Sequence, residues 1–371
     1  MIVPFVDLKA QYLSIKNEIN AAIESVIEET AFVSGKYASE FEAAFAKAYG
    51  IKHCIGVANG TDAIFIALKM LGIGSGDEVI TVANSWISTS ETISQTGAKP
   101  VFVDIERDFF GIDASKIEEK ITPKTKAIIP VHIFGQPAEI DEVKRICQKY
   151  NLYLVEDCAQ AHFAEFKGQY AGTFGHVATF SFYPGKNLGA YGDAGAIITN
   201  DDELALKMRM FANHGALKKH QHQIEGINSR LDGIQGAILK VKLNYIHNWN
   251  NARLGKGLLY NKLLAEVKQV SVPKIRENVK HIFHVYELRA ESRDKLIEYL
   301  NAQGIQTAIH YPVPLPFMPA YSYLNHSKSD FPVAAEYMNE ILSLPMYPEI
   351  TEEQIRYVID TIKEFYEQKA D

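Results

Sequence analysis

The stretch Val177-Ala-Thr-Phe-Ser-Phe-Tyr-Pro-Gly-Lys-Asn-Leu-Gly-Ala-Tyr-Gly-Asp-Ala-Gly195 runs from an uncharged apolar segment onto a glycine-rich turn. Val177 to Phe182 has the composition of a strand buried in a sheet. Lys186 therefore stands on a turn beside a buried strand. Most lysines are solvated surface groups, but an ammonium placed here can be desolvated and its pKa lowered, which suits a Schiff-base nucleophile. Further short apolar runs occur at Cys54 to Val57, Glu78 to Val82, Pro100 to Val103, Ala127 to His132, Leu152 to Glu156 and Ala196 to Thr199. Segments with helical spacing, such as Asp62 to Leu71 and Glu139 to Tyr150, lie between most of them. Strands apolar on both faces that alternate with helices predict an α/β domain around a mostly parallel sheet. In such sheets ligands gather at the carboxyl ends of the strands.

Three further strand ends carry chemistry. Tyr153-Leu-Val-Glu-Asp-Cys-Ala-Gln160 leaves Asp157 at the end of an apolar run, where a buried carboxylate needs a cation or several donors. It reads as a loop-tying or capping group, or as the partner of a protonated pyridine nitrogen. Gly56-Val-Ala-Asn-Gly-Thr-Asp-Ala63 leads from a strand straight into a helix. Gly60 permits close backbone approach, Thr61 offers a hydroxyl or an ordinary N-cap, and the first-turn amides can hold an anion. Ser181 can add a hydroxyl to the same anion, or be simply a small strand residue. Trp86 follows the strand ending near Val82 and can fill core volume or lie on a flat heterocycle. An amine, an acid, a phosphate cup and an aromatic lid on successive strand ends are together what pyridoxal 5′-phosphate requires.

Composition bounds the rest. With 371 residues, 47% hydrophobic and 22% charged, the chain can bury a large core. Two domains are expected, at roughly 100 to 200 residues each. Thirty-eight basic against 45 acidic residues leave a net charge of -7 without a basic stripe, which argues against nucleic acid or a membrane surface as partner. Cys54, Cys147 and Cys158 form neither a disulfide framework nor a metal-ligand spacing, so no metal is expected and a reducing cytoplasm fits. The N-terminus does not read as a signal peptide, and no stretch is apolar enough to span a membrane. Leu8 to Glu29 reads as one amphipathic helix with a stripe at Ile15, Ile19, Ala22, Ile23 and Val26, suited to packing or to a second subunit. Leu239 to Val270 reads as a long helix interrupted by Gly255 and Gly257. It bridges to a smaller α+β domain, giving domains 1–244 and 245–371. In that domain His281 to Leu288 and Ile305 to His310 read as strands, Arg293 to Gln303 and Thr351 to Glu367 as helices, and Pro312 to Pro319 as a stiff loop. Gly72 to Asp77 follows a helix instead of a strand, so it is no dinucleotide fingerprint. His214, His220 and His222 beside Lys218 and Lys219 read as a solvated loop, or as cations that meet a diphosphate.

The chain resembles, over essentially its whole length, the DegT/DnrJ/EryC1/StrS family of nucleotide-sugar aminotransferases. The matching segments include Pro4 to Lys9, Asn59-Gly-Thr-Asp-Ala63, Val131 to Pro137, Glu156 to His162, Ser181-Phe-Tyr-Pro-Gly-Lys-Asn-Leu-Gly189, Gly226 to Asp232 and Gly304 to Pro312. The resemblance implies the aspartate aminotransferase fold (fold type I): a mostly parallel seven-stranded sheet with helices on both faces and a smaller C-terminal domain. It implies that Lys186 binds pyridoxal 5′-phosphate covalently, that Asp157 pairs with the pyridine nitrogen, that Gln160 contacts the ring hydroxyl and that Trp86 stacks on the ring. Gly60, Thr61 and Ser181 would hold the phosphate. Asn228 would reach the phosphate of the neighbouring subunit, so active sites would be shared in a homodimer. Tyr183, His310 and Tyr311 would border the sugar, while Arg230 would meet anionic substrate groups or bridge to Asp232. A lysine at 186, where related dehydratases carry histidine, implies amino transfer. The turn sequence is most similar to members that aminate carbon 3 of dTDP-linked 3-keto-6-deoxyhexoses with glutamate as donor. Amination at carbon 4, a UDP-linked substrate, and a non-catalytic regulatory protein are the alternatives. Three departures stand out: Phe163 replaces a glycine, which would add bulk near the cofactor loop; Pro314-Leu-Pro-Phe317 lacks a histidine; and Gly192-Asp-Ala-Gly195 replaces Gly-Asp-Gly-Gly.

Overall fold

The computed structural model describes residues 1–368. Its seven expected runs become seven strands: β1 (His53–Val57), β2 (Glu78–Val82), β3 (Lys99–Val103), β4 (Thr125–Ile129), β5 (Tyr153–Asp157), β6 (Val177–Ser181) and β7 (Gly195–Thr199). They form one sheet in the order β1-β7-β6-β5-β4-β2-β3. Only β7 runs against its neighbours, β1 and β6; the other pairs are parallel. The carboxyl ends of β1, β2, β5 and β6 thus share one edge. Helices cover both faces, and the near-complete burial of β6 and β7 explains their lack of polar alternation.

Downstream, helices Gly233–Leu243 and Ile246–Leu264 lead to a three-stranded antiparallel sheet of Val270–Ser271, Tyr286–Ala290 and Ile341–Leu344. This sheet has its own core, built with Tyr260, Leu296, Leu300, Ile355 and Ile359. The closing helix Glu352–Glu367 starts on a capping box, with Thr351 Oγ1 accepting from Gln354 N–H at 3.1 Å and Gln354 Oε1 accepting from Thr351 N–H at 2.9 Å.

Several expectations need correction. The helix expected over 8–29 is two, Leu8–Ser14 and Lys16–Glu28, because Ile15 leaves helical geometry (φ −130°, ψ 22°) and turns into the core. Its stripe packs within the chain, against Gly233–Leu243. The later long helix breaks at Asn244 and Tyr245, not at the glycines. Gly257 lies inside Ile246–Leu264, where a Cβ would sit 2.5 Å from the Phe283 ring. The strand expected at 281–288 begins only at Tyr286. Ile305 to His310 forms no strand, only isolated bridges from Ile305 to Val3 and from Ala308 to Ser343. The chain from Leu315 to Ile341 returns to the core over the main sheet through Leu315, Tyr321 and Phe331.

Phe163 does not crowd the ligand edge either. It points into an aromatic cluster with Phe45, Tyr49, Tyr170 and His247, while its backbone sits at φ 61°. Left-handed backbone favours glycine by about 1 kcal/mol over alanine, whereas loss of the buried ring costs about 3–5 kcal/mol. Phe163→Ala and Phe163→Gly should both destabilise the protein in urea, with the glycine variant more stable by about 0.5–1 kcal/mol.

Candidate active site

A cavity of about 440 Å³ opens at the carboxyl ends of the strands, lined by Gly60, Thr61, Trp86, Asp157, Gln160, Ser181, Tyr183, Lys186, His310 and Tyr311. Ten of the twelve residues singled out in the sequence meet here. Four strand ends deliver seven of them: Gly60 and Thr61 after β1, Trp86 after β2, Asp157 and Gln160 at and after β5, Ser181 and Lys186 at and after β6.

Lys186 sits on the turn closed by its own N–H to the Tyr183 carbonyl (2.8 Å). Its side chain is half-buried, with part of its surface open on the cavity. Burial pulls its pKa from 10.5 down to about 8, against the opposing pull of the Asp157 charge. Asp157 is 4% exposed. Its Oδ2 accepts from Thr89 Oγ1 at 2.9 Å and its Oδ1 from Ala159 N–H at 3.1 Å. Burial raises its pKa in spite of these two donors, Lys186 and His132. Lys186 and Asp157 face one cavity without forming an ion pair with each other.

Helix Gly60–Met70 is capped by Asn59, whose Oδ1 accepts from Asp62 N–H at 2.8 Å, so Thr61 is not the cap. Thr61 Oγ1 instead lies 2.7 Å from Ser88 Oγ. The amides of Gly60 and Thr61 precede the first intrahelical bond and point out of the helix end. A Cβ on Gly60 would stand 2.6 Å from Ser181 Cβ, so only glycine lets the two approach. Gly60→Ala should therefore weaken pyridoxal phosphate binding at least about tenfold, measured by fluorescence titration of the cofactor-free protein, because the cup must widen.

Gln160 is locked at both ends. Its Oε1 accepts from Phe134 N–H at 2.7 Å and its Nε2 donates to Tyr311 Oη at 2.9 Å. Trp86 and Tyr183, each 60% exposed, stand at the rim, and the Trp86 ring lies 5.8 Å from that of Tyr311. Burial lowers His310 to about 4, so its imidazole is neutral.

Asn228 and Arg230 are not brought to this cavity. Asn228 bridges to Asn213, and Arg230 borders a second cavity of about 400 Å³ with Arg209 and Glu42. Arg230 makes no ion pair to Asp232 among the described residues. The residues that sequence reading missed are Ser85, Ser88, Thr89, Asn59 and Asp193. The hydroxyl-rich run Ser85-Trp-Ile-Ser-Thr-Ser90 after β2 was the available signal for three of them. His132, Glu156 and Cys158 do cluster, but the Glu156 carboxylate is already taken up by His132 and the amides of Gly172, Phe174 and Gly175.

The donors fit pyridoxal 5′-phosphate: two helix-end amides and three hydroxyls for a phosphate, a buried carboxylate for a pyridinium, and an amine poised near neutrality. The DegT/DnrJ/EryC1/StrS aminotransferase family model matches residues 13–363. The chain belongs to this family. A pleiotropic regulatory protein of Geobacillus stearothermophilus is 45% identical over 99% of both chains. The dTDP-3-amino-3,4,6-trideoxy-alpha-D-glucose transaminase of Streptomyces venezuelae is 40% identical over 98% of this chain and 96% of its own. The crystal structure of S. venezuelae DesV in complex with a ketimine intermediate superposes with a TM-score of 0.96 at 40% identity, covering 98% of each chain. The protein is an aminotransferase that uses pyridoxal 5′-phosphate.

Proposed function

We propose that the protein moves an amino group from glutamate to carbon 3 of a dTDP-linked 3-keto-6-deoxyhexose, giving a dTDP-3-amino-3,6-dideoxyhexose for a surface polysaccharide or glycoside. The observation that carries the reading is Lys186, a half-buried lysine shifted to about 8 that shares its cavity with Asp157. The relatives named as dTDP-3-amino-sugar transaminases support the substrate class.

When bound, pyridoxal 5′-phosphate supplies an electrophilic aldehyde and a ring that takes up the electron pair left when a proton leaves the neighbouring carbon. The chain's own groups do the rest. The amides of Gly60 and Thr61, with the hydroxyls of Thr61, Ser88 and Ser181, hold the phosphate at the positive helix end. Asp157, oriented by Thr89 and Ala159, keeps a proton on the pyridine nitrogen. Gln160 would contact the ring hydroxyl and Trp86 would lie on the ring. Lys186 Nζ would carry the donor's carbon-bound proton to the cofactor in the first half of the cycle and carry a proton from the cofactor to the sugar carbon in the second. Tyr183, His310 and Tyr311 border the sugar. Asn228, which lies away from this chain's own cavity, serves the partner's phosphate in a homodimer, so that two chains complete each site. The division into domains 1–244 and 245–371, with the cavity lined from both, and a cytoplasmic setting complete the reading.

A regulator that binds the cofactor without turnover is the second reading, favoured by the name of the 45% identical relative. One experiment separates the two. The yellow protein is mixed with glutamate, then with dTDP-3-keto-6-deoxyglucose, its galactose epimer, 4-keto sugars and UDP-linked sugars, with mass detection of amino sugars. Loss of colour followed by a 3-amino product is expected. Reaction with a 4-keto compound alone would displace the carbon-3 assignment, and colour that persists with every donor would favour the regulator.

A further inference from the structure

His310 lines the cavity, and behind it lies a buried chain of polar groups that the proposed chemistry does not use. Strands Tyr286–Ala290 and Ile341–Leu344 pair antiparallel with Glu287 directly opposite Ser343, so both side chains leave the same face. Ser343 also exchanges backbone hydrogen bonds with Ala308 (2.8 and 3.2 Å), two residues before His310. The Ser343 hydroxyl is bonded to Glu287 Oε2 and lies 2.7 Å from Nδ1 of His310. The ring is further held by Phe5, stacked at 5.8 Å. Ser343 and Glu287 are 0% and 1% exposed.

The state of Glu287 decides the polarity of this chain. A buried carboxylate needs a cation, and the charge that acts on it, Arg293, is spent on Asp294 and on the carbonyls of Ile341 and Met338. Burial, the largest cause, pushes the Glu287 carboxyl well above its ordinary range over the opposing pull of the Ser343 hydroxyl, the His310 backbone N–H and Arg293. A carboxylic acid can donate to Ser343 Oγ, whose own proton is then free for a ring nitrogen.

We infer that Glu287 and Ser343 are positioning residues for His310: the Glu287 acid orients the Ser343 hydroxyl to donate to Nδ1, so the ring carries its proton on Nε2 and offers an N–H to an oxygen of the substrate. The donor function rests on the aminotransferase reading of the cavity; the tautomer does not. A neutral imidazole free to swap tautomers would offer that oxygen a lone pair part of the time. The chain removes this alternative before the substrate arrives.

The test uses the cofactor-loaded protein with 15N-labelled histidine, the His310 signals being assigned by their loss in His310→Gln. The expected wild-type pattern is an unprotonated Nδ1 and a protonated Nε2. Ser343→Ala should give a tautomer mixture and raise KM for dTDP-3-keto-6-deoxyglucose about five- to tenfold with kcat changed less than about twofold. Ser343→Thr should restore both readings. Glu287→Gln, whose amide donates as the acid does, should keep the tautomer and leave KM within about twofold. A proton on Nδ1 in the wild type, an unchanged tautomer in Ser343→Ala, or loss of the tautomer in Glu287→Gln would overturn the inference, and an unchanged KM in Ser343→Ala would overturn its substrate half. If the wild type aminates none of the sugars yet shows the expected tautomers, the substrate reading has failed and the positioning role stands.

Discussion

Lys186→Ala is expected to lose covalent capture of pyridoxal phosphate and to lower turnover by at least about three orders of magnitude. Nucleophile and proton carrier vanish together, and each kind of catalysis contributes about two to four orders of magnitude. Borohydride treatment of wild type followed by digestion should tag the peptide containing Lys186, and the same treatment of the variant should tag none. A tag on another peptide would remove the basis of the functional reading. The fold should persist, because the turn is closed by the backbone bond from Lys186 to Tyr183, which alanine keeps.

The same residue fixes a pH dependence. Only the neutral amine attacks an aldehyde, and in the cofactor-free protein the folded pKa is about 8 against 10.5 for an ordinary lysine. The rate of reconstitution should rise with pH through about 8 and level off above about 9, where a solvated lysine would still be climbing. Stability carries the matching sign. Between about 8 and 10.5 the unfolded chain binds more protons than the folded one, so the cofactor-free protein gains stability as pH rises across that window. Lys186→Met should flatten the rise and, below pH 8, raise the melting temperature, since no charge is then buried.

What the sequence made legible follows from how locally each feature is encoded. The seven strands were readable because each is buried on both faces and bounded by turns, so composition alone marks it. The ligand edge was readable because Lys186, Asp157 and Gly60 sit within a few residues of a strand end. The helix breaks at Ile15 and Asn244 were not, since neither has a proline or glycine to announce it; packing of Ile15 into the core imposes the first. The strand expected at 305–310 failed because that segment finds only single bridges to Val3 and Ser343. The return of Leu315 to Ile341 to the main sheet is a long-range choice between two apolar cores, and local pattern does not distinguish them. Phe163 has the same lesson: its size was visible, but its direction depends on a positive φ that only tertiary packing against Tyr49 and Phe45 sustains. Thr89 became significant only when β2 and β5 were placed two strands apart, bringing its hydroxyl to Asp157.

Asp157→Asn should separate binding of the cofactor from its activation. The substitution keeps the volume and both local contacts: Oδ1 still accepts from Ala159 N–H, and the new Nδ2 donates to Thr89 Oγ1, whose own proton turns to Ser85 Oγ. More important, it removes the charge that favours a proton on the pyridine nitrogen. Turnover should fall about a hundred- to a thousandfold, the scale for deleting one preorganised electrostatic partner, while borohydride still tags Lys186. That retained tag distinguishes the variant from Lys186→Ala. Asp157→Glu restores the charge one methylene out of place and should recover only part of the rate. In the cofactor-free protein the carboxyl is raised above its unfolded value of 3.8 by burial. The folded state therefore binds the proton more tightly, and stability falls as pH climbs from 3.8 through the raised value. Asparagine cannot titrate, so the variant should lack that slope. Calorimetry of both cofactor-free proteins between pH 4 and 7 reads it directly, and equal slopes would mean that Asp157 is already compensated and has no unmet charge to offer a pyridinium.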